Sequence, residues 1–516
     1  MRVGVLELLS DVVSQTMMER LYNAWFKRHL FSITPQAVAA WCRQLGHEVY
    51  YATYYGQQRP ERLLPEKLDV IFISTFTQAS ALAYVLAKFY RRRKTLTVIG
   101  GPHAKAFADD CLRFFDLVVQ DCDKTLIEDI LAGCFDRHSI ISSGRLLTEV
   151  PGVAERLPDI LTASFSNGRR ALISNVPMLS SIGCPYRCDF CIDWNNPYVL
   201  LSREQLAEDL RFVVKHLPGA LVSYHDPNFG VKFDQVLEVL ETIPENMRNP
   251  YATSSSLSLL RGERLQRLQQ TRCVYIGPGI ESWGDYSNKA GVGNATVGRK
   301  KLEMIVEHFN ELDGYIPYLG ANFIMGTDLD HGAEPFALTE EFIRRLPFTW
   351  PMIFIAVPYG GTPLYEQYLA EDRILQAMPF SFYYTPYLVT RLKHYHPVEF
   401  YENLIGLFAA NCSLPVLARR VAGVRSPQLK ALQAFRTVCL KPVLAKLREI
   451  HHLLKTDGKF RAFHEGRSQA LPEFYRYSFK RKLGAYAQFL SARDMTPELR
   501  QALPAASPKL ALAESL

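Results

Sequence analysis

Hydrophobic and polar positions alternate between two patterns over the first 140 residues. Short apolar runs bounded by turn residues predict buried strands over Val3–Leu9, His47–Tyr51, Asp69–Ser74, Thr95–Ile99 and, as the last of the set, Leu117–Val119. Between them, apolar residues at helical spacing predict helices over Pro35–Leu45 and about 78–92. This alternation indicates an α/β domain with a doubly wound, Rossmann-like parallel sheet, whose ligands bind at the carboxyl ends of the strands.

The same alternation continues from about residue 173 to residue 395. An apolar run at 171–182 comes first, and further strands are predicted at 221–226, 251–254, 274–282, 318–325 and 352–357. Helices are predicted between them, for example at 202–214, 233–243 and 300–309. About six strands that alternate with helices suit an open parallel (β/α)6 barrel.

The C-terminal part of the sequence, from residue 396 onward, lacks this alternation, because its apolar residues have helical spacing and many of them are aromatic. The predicted organisation is therefore a Rossmann-like domain at 1–140, a linker at 141–172, a barrel at 173–395 and a mainly helical C-terminal region at 396–516. Val443–Leu454 is basic and amphipathic, which is typical of a helix packed on a core, although such a helix also suits peripheral contact with an anionic membrane. From about residue 502 onward the composition predicts a disordered end.

Composition and charge narrow the function classes. No apolar run is as long as the roughly 18–20 residues of a membrane span, and the N-terminus reads as a first strand rather than a signal peptide. The net charge of +7 is concentrated beyond about residue 401, where an anionic partner could dock. The sequence has neither a recognisable RNA-binding domain nor a basic, aromatic groove, which disfavours nucleic acid.

The strongest chemical signal is a group of three cysteines, Cys184, Cys188 and Cys191, at spacing C-x3-C-x2-C. Three thiolates can hold an iron–sulfur cluster and leave one iron free for a substrate or cofactor, whereas closed zinc and electron-transfer sites take four protein ligands. A zinc site with a distant fourth ligand is the alternative. Phe190 stands where an aromatic ring could cover a bound adenine. The other seven cysteines are scattered, which indicates reduced thiols in a cytoplasm.

This loop, C-x3-C-x-aromatic-C, resembles the cluster loop of radical S-adenosylmethionine (SAM) enzymes. The resemblance implies a [4Fe–4S] cluster that reductively cleaves SAM to a 5′-deoxyadenosyl radical, with electrons from a donor such as flavodoxin or ferredoxin. It also implies that strand ends of the barrel hold SAM. The positions that match are Asp226 near the amino group, Glu281 at the ribose or amino acid part, and Ser254 and Asn322 along the same cavity. The alternative for each is a cap or a strand-end hydrogen bond.

The N-terminal region resembles the cobalamin-binding domain of one subclass of these enzymes. The best-matching pieces are Asp116–Asp121 and the turn after the fourth strand, with Gly100, Gly101, Pro102 and His103 as candidate cofactor contacts. The D-x-H-x-x-G motif that many cobalamin domains use to ligate cobalt is missing from the sequence. The alternative is a flavodoxin-like domain without its cofactor.

Together these resemblances predict a cobalamin-dependent methyltransferase that acts on an unactivated carbon of a small-molecule, lipid or natural-product substrate. One rival is oxidation, cyclisation or rearrangement without methyl transfer. The other is a non-catalytic iron–sulfur or corrinoid sensor.

Overall fold

The N-terminal part of the chain is a six-stranded parallel sheet with helices on both faces. The structure is a computed structural model, which describes residues 1–13, 17–56, 59–166, 169–170, 174–286, 290–291, 296–424 and 426–499. The strands are β1 (Arg2–Leu8), β2 (Glu48–Tyr54), β3 (Val70–Thr75), β4 (Leu96–Gly100), β5 (Leu117–Val119) and β6 (Ser139–Ile141). They lie in the order β2-β1-β3-β4-β5-β6, and every pair is parallel. The predicted doubly wound sheet is confirmed.

The expectation that Leu117–Val119 is the last strand is wrong, because β6 extends the sheet by one strand. This strand has only three residues, none of them buried, so its apolar signal is too short to be read from the sequence.

Apolar side chains cover both faces of this sheet, as is typical of parallel sheets. The helices are α1 (Met17–Trp25), α2 (Ile33–Gln44), α3 (Ser80–Arg91), α4 (Pro102–Ala106), α5 (Ala108–Leu112) and α6 (Lys124–Ala132). Val3 and Val5 pack on one face with α2, whereas Leu6 and Leu8 pack on the other with α3. The period of two along β1 is therefore what sorts its side chains between two cores.

The segment predicted as a linker holds a helix of its own. It contains α7 (Val153–Ser164), followed by the short strands β7 (Phe165–Ser166) and β8 (Arg169–Arg170). The side chain of Arg156 on α7 is fully buried and donates to the carbonyls of Pro151 and Pro177 and to Gln36 at 2.8–3.2 Å. Gln36 belongs to α2 and Pro177 to the barrel, so α7 packs against both of the larger units. The domain boundaries themselves stay a prediction.

The second sheet is an open barrel of six strand positions. Its strands are β9 (Asn175–Met178), β12 (Leu221–Tyr224), β13 (Tyr251–Thr253), β14 (Cys273–Ile276), β15 (Gly279–Glu281), β16 (Tyr318–Met325) and β17 (Thr349–Ile355), while β10 (Ser181–Ile182) and β11 (Val199–Leu200) form a hairpin after β9. All pairs in the barrel sheet are parallel, and β14 and β15 share one position beside β16. The predicted (β/α)6 arrangement is confirmed.

Helices follow the barrel strands and then form the C-terminal region. The barrel helices are α8 (Arg203–His216), α9 (Phe233–Glu241), α10 (Glu263–Gln270), α11 (Gly298–Asp313), α12 (Glu334–Arg345) and α13 (Pro363–Ala370). The C-terminal helices are α14 (Pro397–Asn411), α15 (Leu414–Gly423), α16 (Pro427–Cys439), α17 (Lys441–Thr456), α18 (Gly458–His464) and α19 (Glu473–Leu483). The predicted helical C-terminal region is confirmed, and the predicted disordered end lies outside the described residues.

The length and apolar character of the described helices bear on whether any of them could cross a membrane. None of them alone is long and apolar enough to cross a membrane. The pair α14 and α15, bent by 47° at the break between them, has the length and composition of a membrane span only when the two helices are taken together.

Candidate active site

The three cysteines lie in a loop that a short hairpin closes. β10 pairs antiparallel with β11, so residues 183–198, which we call the cluster loop, form the turn of this hairpin. Within it the Cys184 amide donates to the Asn196 carbonyl at 3.3 Å, and the Cys191 amide to the Cys188 carbonyl at 3.1 Å. Cys184 and Cys188 are buried and Cys191 is half-buried. The loop therefore carries the three cysteines on a short, hydrogen-bonded stretch of backbone.

Gly183 makes the entrance to this loop possible. Its φ of 65° lies in the left-handed region, where only glycine is free of strain. A Cβ atom at this position would stand 2.1 Å from the carbonyl oxygen of Pro197 and 2.7 Å from that of Asn196. The close approach of the two ends of the loop therefore requires glycine here.

Asp226, just beyond β12, anchors the start of the cluster loop. Its carboxylate accepts from the Ser180 amide at 3.0 Å, the Ser180 hydroxyl at 2.5 Å and the Ser181 hydroxyl at 2.6 Å. The side chain is buried, and burial raises the pKa of Asp226 although the serine hydroxyls oppose the rise. These donors occupy much of the acceptor capacity of the carboxylate. The structure thus gives Asp226 an anchoring position, and its predicted contact with the SAM amino group stays a prediction.

Three cysteines suit a cluster better than a structural zinc site, which takes four protein ligands. Within the part of the chain that the structure describes, no three His, Cys, Asp or Glu side chains gather as they do around one ion. Three thiolates that bind three different irons need not converge on one point, whereas the four ligands of a structural zinc must. The three cysteines of the loop are therefore the residues that would hold the predicted [4Fe–4S] cluster.

Phe190 lies in this loop, and one face of its ring already contacts another aromatic ring. It stacks on Tyr286, with ring centroids 5.3 Å apart and an interplanar angle of 16°. Burial raises the pKa of the neighbouring Asp189, an effect that the Tyr286 hydroxyl opposes. The Asp189 carbonyl accepts from the Leu364 amide at 3.1 Å, which ties the loop to the chain after β17. The predicted adenine contact of Phe190 would use its other face and stays a prediction.

Glu281 ends β15 in a strained backbone conformation. Its φ is 64°, which is rare for a residue with a Cβ and costs about 1–3 kcal/mol. The side chain is buried and lies over Gly279, where a Cβ would stand 2.2 Å from the Glu281 Oε1 atom. The strand is irregular at this point, because its register with β16 shifts between Gly279 and Glu281. Strain of this kind is concentrated at functional sites, so Glu281 is the best-supported SAM candidate.

Lys301, on α11, supports the segment after Glu281, and the sequence reasoning missed it. Its buried ammonium donates to the Ser282 carbonyl at 2.6 Å and to the Gly284 carbonyl at 3.0 Å. Burial lowers the pKa of Lys301 to about 8, although nearby carboxylates oppose the shift. No sequence signal separates Lys301 from its exposed neighbour Lys300.

Asn322 and Ser254 occupy different surroundings. Asn322 lies opposite Gly279 in the register of β15 and β16, and its amide donates to the carbonyls of Gly277 and Pro278 at 3.2 and 3.3 Å. It therefore stands near Glu281 and supports the break between β14 and β15. Ser254 follows β13, is exposed, and its carbonyl accepts from the Phe229 amide at 3.0 Å.

A cavity of about 600 Å³ lies where the carboxyl ends of the two sheets meet the cluster loop. From the N-terminal sheet it is lined by Ser74, Gly100, Gly101, Pro102, Val119 and Gln120, and from the barrel by Ile182, Gly183, Asp193, Asn196, His225 and Pro227. Another part of its wall is apolar and includes Val5, Val38, Phe72, Val98 and Ile127. Ligand sites in parallel sheets occur at these strand ends.

Of the four candidate cofactor contacts at the turn after β4, three line this cavity. Gly100, Gly101 and Pro102 line it. Gly101 has φ 88°, and a Cβ there would stand 2.8 Å from the Ser74 hydroxyl. His103 does not line the cavity, because its ring is fully buried and bonds the Tyr84 hydroxyl at 2.7 Å. Burial lowers the pKa of His103 to about 3.

His225 is a residue of the cavity wall that is not among the candidates predicted from the sequence. It follows β12, and its ring has no hydrogen-bond partner among the described side chains and backbone groups. Burial, helped by Arg156, lowers the pKa of His225 to about 4, so the imidazole is neutral at pH 7. The only sequence signal for His225 as a site residue is its position at a strand end, one residue before Asp226.

Comparison with known proteins identifies the second unit. Residues 178–330, which hold the cluster loop, Asp226, Glu281 and Asn322, match the model of the Radical SAM superfamily. Residues 178–330 are a radical SAM domain. The prediction of this superfamily from the cysteine loop is confirmed, and with it the prediction of SAM as a cofactor and of an enzyme.

Known relatives of the chain include methyltransferases. A bacteriochlorophyllide d C-8(2)-methyltransferase of Chlorobaculum tepidum is 22% identical over 361 residues, which cover 65% of this chain and 76% of the relative. A bacteriochlorophyllide d C-12(1)-methyltransferase of the same organism is 21% identical over 333 residues, which cover 63% and 71%.

Among solved structures, the radical S-adenosylmethionine methyltransferase TsrM from Kitasatospora setae, with cobalamin and a [4Fe-4S] cluster bound, is 13% identical with a TM-score of 0.49. The match covers 72% of this chain and 78% of that chain. This likeness is too slight to carry a conclusion about the cofactors of the present enzyme.

Proposed function

We propose that this radical SAM enzyme is a cobalamin-dependent methyltransferase that acts on an unactivated carbon of a small-molecule, lipid or natural-product substrate. The observation that carries the proposal is the cavity at which the N-terminal sheet and the cluster loop share a wall. A cavity of this size between two units is typical of a site for a large ligand. The methyltransferase relatives support methyl transfer over the rival chemistries.

Different residues of the chain would bind the cluster and SAM. Cys184, Cys188 and Cys191 would hold the cluster, and Asp226 keeps their loop against β12. When bound, the cluster and SAM supply a 5′-deoxyadenosyl radical and cobalamin supplies the methyl group. Glu281 would hold SAM through charge-assisted hydrogen bonds, since its carboxylate is already fixed at the strand end.

The N-terminal sheet would hold cobalamin at the cavity. The fit rests on two features: an apolar part of the cavity wall, which suits the apolar parts of a large organic cofactor, and the turn at Gly100 and Gly101, whose missing side chains let a ligand approach the backbone. His225 would face the bound cofactor as a neutral imidazole. Reduced flavodoxin or ferredoxin is the class of electron donor that this chemistry requires, and a reducing cytoplasm suits the proposed cluster.

The test is anaerobic reconstitution with iron and sulfide, incubation with hydroxocobalamin, desalting, and measurement of iron, sulfide and the corrinoid spectrum. The wild type is expected to retain both a cluster and a corrinoid. The triple variant Cys184→Ala/Cys188→Ala/Cys191→Ala should lose the cluster. The matched control is Cys134→Ala, at an exposed cysteine outside the loop, which should keep it.

A second pair of variants tests the cavity. Gly100→Phe projects a ring beside Val119 without a clash at its Cβ, where the nearest atom is the Val119 carbonyl oxygen at 3.9 Å. This variant should lose the corrinoid and keep the cluster. Gly458→Phe, at an exposed glycine with no atom within 4 Å of its Cβ, is the control. If the wild type retains a cluster and no corrinoid, methyl transfer through cobalamin is refuted, and oxidation or rearrangement is the chemistry to assay next.

A further inference from the structure

One stretch of the C-terminal region contains basic residues and no acidic residue. From Asn403 to Arg448 the sequence holds eight Lys and Arg residues and no Asp or Glu. These are Arg419, Arg420, Arg425, Lys430, Arg436, Lys441, Lys446 and Arg448. The stretch covers α15 and α16, together with most of α14 and half of α17. Elsewhere the chain is slightly acidic overall, so the net positive charge originates in the tail.

The solvent-facing sides of α15 and α16 are apolar, which is unusual for exposed helices. On α15 the exposed positions repeat at helical spacing and are Leu414, Pro415, Ala418, Arg419, Ala422 and Gly423. Leu414 is 77% exposed. On α16 the exposed positions include Pro427, Gln428, Ala431 and Val438. A surface helix normally places charged and polar residues on this side. We call these positions, with Lys441 at the start of α17, the docking face.

The two helices form one unit that is fixed to the barrel. Arg420 is fully buried and its guanidinium joins α15 to α16, donating to the Thr437 hydroxyl at 3.1 Å and to the Asn411 carbonyl at 3.0 Å. Arg436 donates to the Tyr318 hydroxyl at 2.6 Å and lies over the ring of Trp350 at 5.2 Å. The docking face is therefore rigidly presented rather than loosely attached.

These contacts also place the docking face relative to the site. Tyr318 and Trp350 lie at the amino ends of β16 and β17. The cluster loop and Glu281 lie at the carboxyl ends of the same parallel sheet. The docking face is thus on the opposite end of the barrel from the cavity and belongs to a different surface.

The basic amphipathic helix that the sequence indicated for membrane contact is α17, and its apolar stripe is already used. Leu444, Leu447, Ile450 and Leu454 are buried against the rest of the protein. The packing alternative is therefore correct for α17. The exposed apolar residues lie on α15 and α16 instead.

We propose that the docking face binds the surface of a bilayer that contains anionic lipids. Charge complementarity selects this occupant: neither Arg419 nor Lys441, both exposed, has a carboxylate partner among the described residues, so each is available for lipid phosphates. The exposed Leu414 and the surrounding alanines and prolines suit insertion into the boundary between headgroups and acyl chains. The proposal does not depend on the proposed function, because no residue of the cavity takes part.

Two other anionic partners fit less well. An acidic electron donor must approach the cluster, which lies at the other end of the barrel. A nucleic acid would use the charge but leave Leu414 and Val438 in water. Membrane binding is the only one of the three that uses both the positive charge and the apolar positions.

The test is co-sedimentation of the full chain with vesicles of phosphatidylcholine, with and without phosphatidylglycerol. Binding is expected only with the anionic lipid, and it should weaken as salt is raised. Each basic residue near the surface is worth about fivefold in affinity, so Arg419→Glu/Lys441→Glu should weaken binding by about thirtyfold or more. Leu414→Ser should weaken it by about tenfold. The matched control is Arg211→Glu, at an exposed position of α8, which should bind as the wild type does.

Three results would overturn the proposal. The first is no binding to anionic vesicles at low salt, and the second is equal binding to neutral and anionic vesicles. The third is a Leu414→Ser variant that binds like the wild type while the charge variant does not, because this would indicate a surface for polyanions in general. The cluster and corrinoid content of each variant should equal that of the wild type. This readout separates failure of the docking face from failure of the proposed function.

Discussion

Gly183 combines a left-handed backbone with a contact that excludes any side chain. Gly183→Ala would place a Cβ 2.1 Å from the Pro197 carbonyl oxygen, in addition to conformational strain of about 1–3 kcal/mol. The cluster loop cannot keep its present course, because the contact is with backbone rather than with a flexible side chain. We expect the variant to fold but to incorporate less than about half the iron and sulfide of the wild type, measured after anaerobic reconstitution.

The matched control isolates the clash from the backbone strain. Gly332 has φ 58°, and a Cβ atom added there would have no other atom within 4 Å, so Gly332→Ala introduces strain alone. It should lower the free energy of unfolding by about 1 kcal/mol and leave iron and sulfide content unchanged. Equal cluster content in the two variants would contradict the role given to the narrow entrance of the loop.

The buried carboxyl group of Glu7, on β1, should make the stability of the protein depend on pH. It is fully buried and accepts hydrogen bonds from the Ser32 amide at 2.8 Å, the Ser32 hydroxyl and the Tyr51 hydroxyl. Burial raises the pKa of Glu7 to about 7, because the charged form loses its water and these donors recover only part of the loss. The folded protein therefore binds this proton more tightly than the unfolded chain does.

The sign of the pH effect follows from that difference. The contribution of Glu7 is fully present below pH 4.5 and is lost as the pH rises through about 7, a change of about 3 kcal/mol at most. Glu7→Gln removes this loss. The measurement is the difference in unfolding free energy between the Glu7→Gln variant and the wild type, which should grow in favour of the variant from about pH 5 to about pH 8. A difference that is constant with pH would show that the carboxyl titrates normally.

At the scale of elements, α7 is the piece that joins the two sheets. Arg156 bonds Gln36 of α2 and the Pro177 carbonyl of β9, and burial lowers the pKa of Arg156 to about 10. Arg156→Met would leave two buried carbonyls without a donor and should cost about 2–4 kcal/mol in urea unfolding. Arg203→Met, at an exposed position of α8, is the control and should cost less than about 0.5 kcal/mol. A small effect of Arg156→Met would mean that α7 is merely a connector.

The elements were predictable wherever a periodic pattern was long. The strands of both sheets follow from apolar runs, and β16 was predicted with the bounds that the structure has. β6 was missed because three half-buried or exposed residues give no pattern. The interruption between β14 and β15 was also not predictable, since it depends on Asn322 bonding the carbonyls of Gly277 and Pro278 from the neighbouring strand.

The site was predictable only where spacing along the chain fixes the chemistry. The cysteines of the cluster loop are near one another in sequence, so their spacing alone indicated their joint role. His103 and His225 show where prediction of the site from the sequence fails. Both follow a strand end, yet one ring is bonded to Tyr84 in the core and the other faces the cavity. The direction of a side chain at a strand end depends on the packing of other elements, which the local sequence does not specify.

At the scale of the whole molecule, one ion pair ties the two ends of the chain together. Lys482, on α19, donates to Asp11 at 2.7 Å, to the Ser381 carbonyl at 2.8 Å and to the Tyr384 hydroxyl at 2.8 Å. The backbone joins the same regions, because the Val13 amide donates to the Lys482 carbonyl at 2.9 Å. Burial would raise the pKa of Asp11, but Lys482 and Lys27 outweigh it and hold the pKa below its ordinary value.

Removing one partner should therefore destabilise the N-terminal sheet and the tail together. Lys482→Met leaves Asp11 buried with only the more distant Lys27, at 3.9 Å, and should cost about 3–5 kcal/mol of unfolding free energy. Asp11→Asn/Lys482→Met should recover part of that loss, because no uncompensated charge remains. Hydrogen exchange should then show that β1 and α19 lose protection at the same rate in Lys482→Met, since the two ends share this contact. If α19 exchanges faster while β1 is unchanged, the tail is an independent unit, and the coupling of the chain ends through Asp11 is refuted.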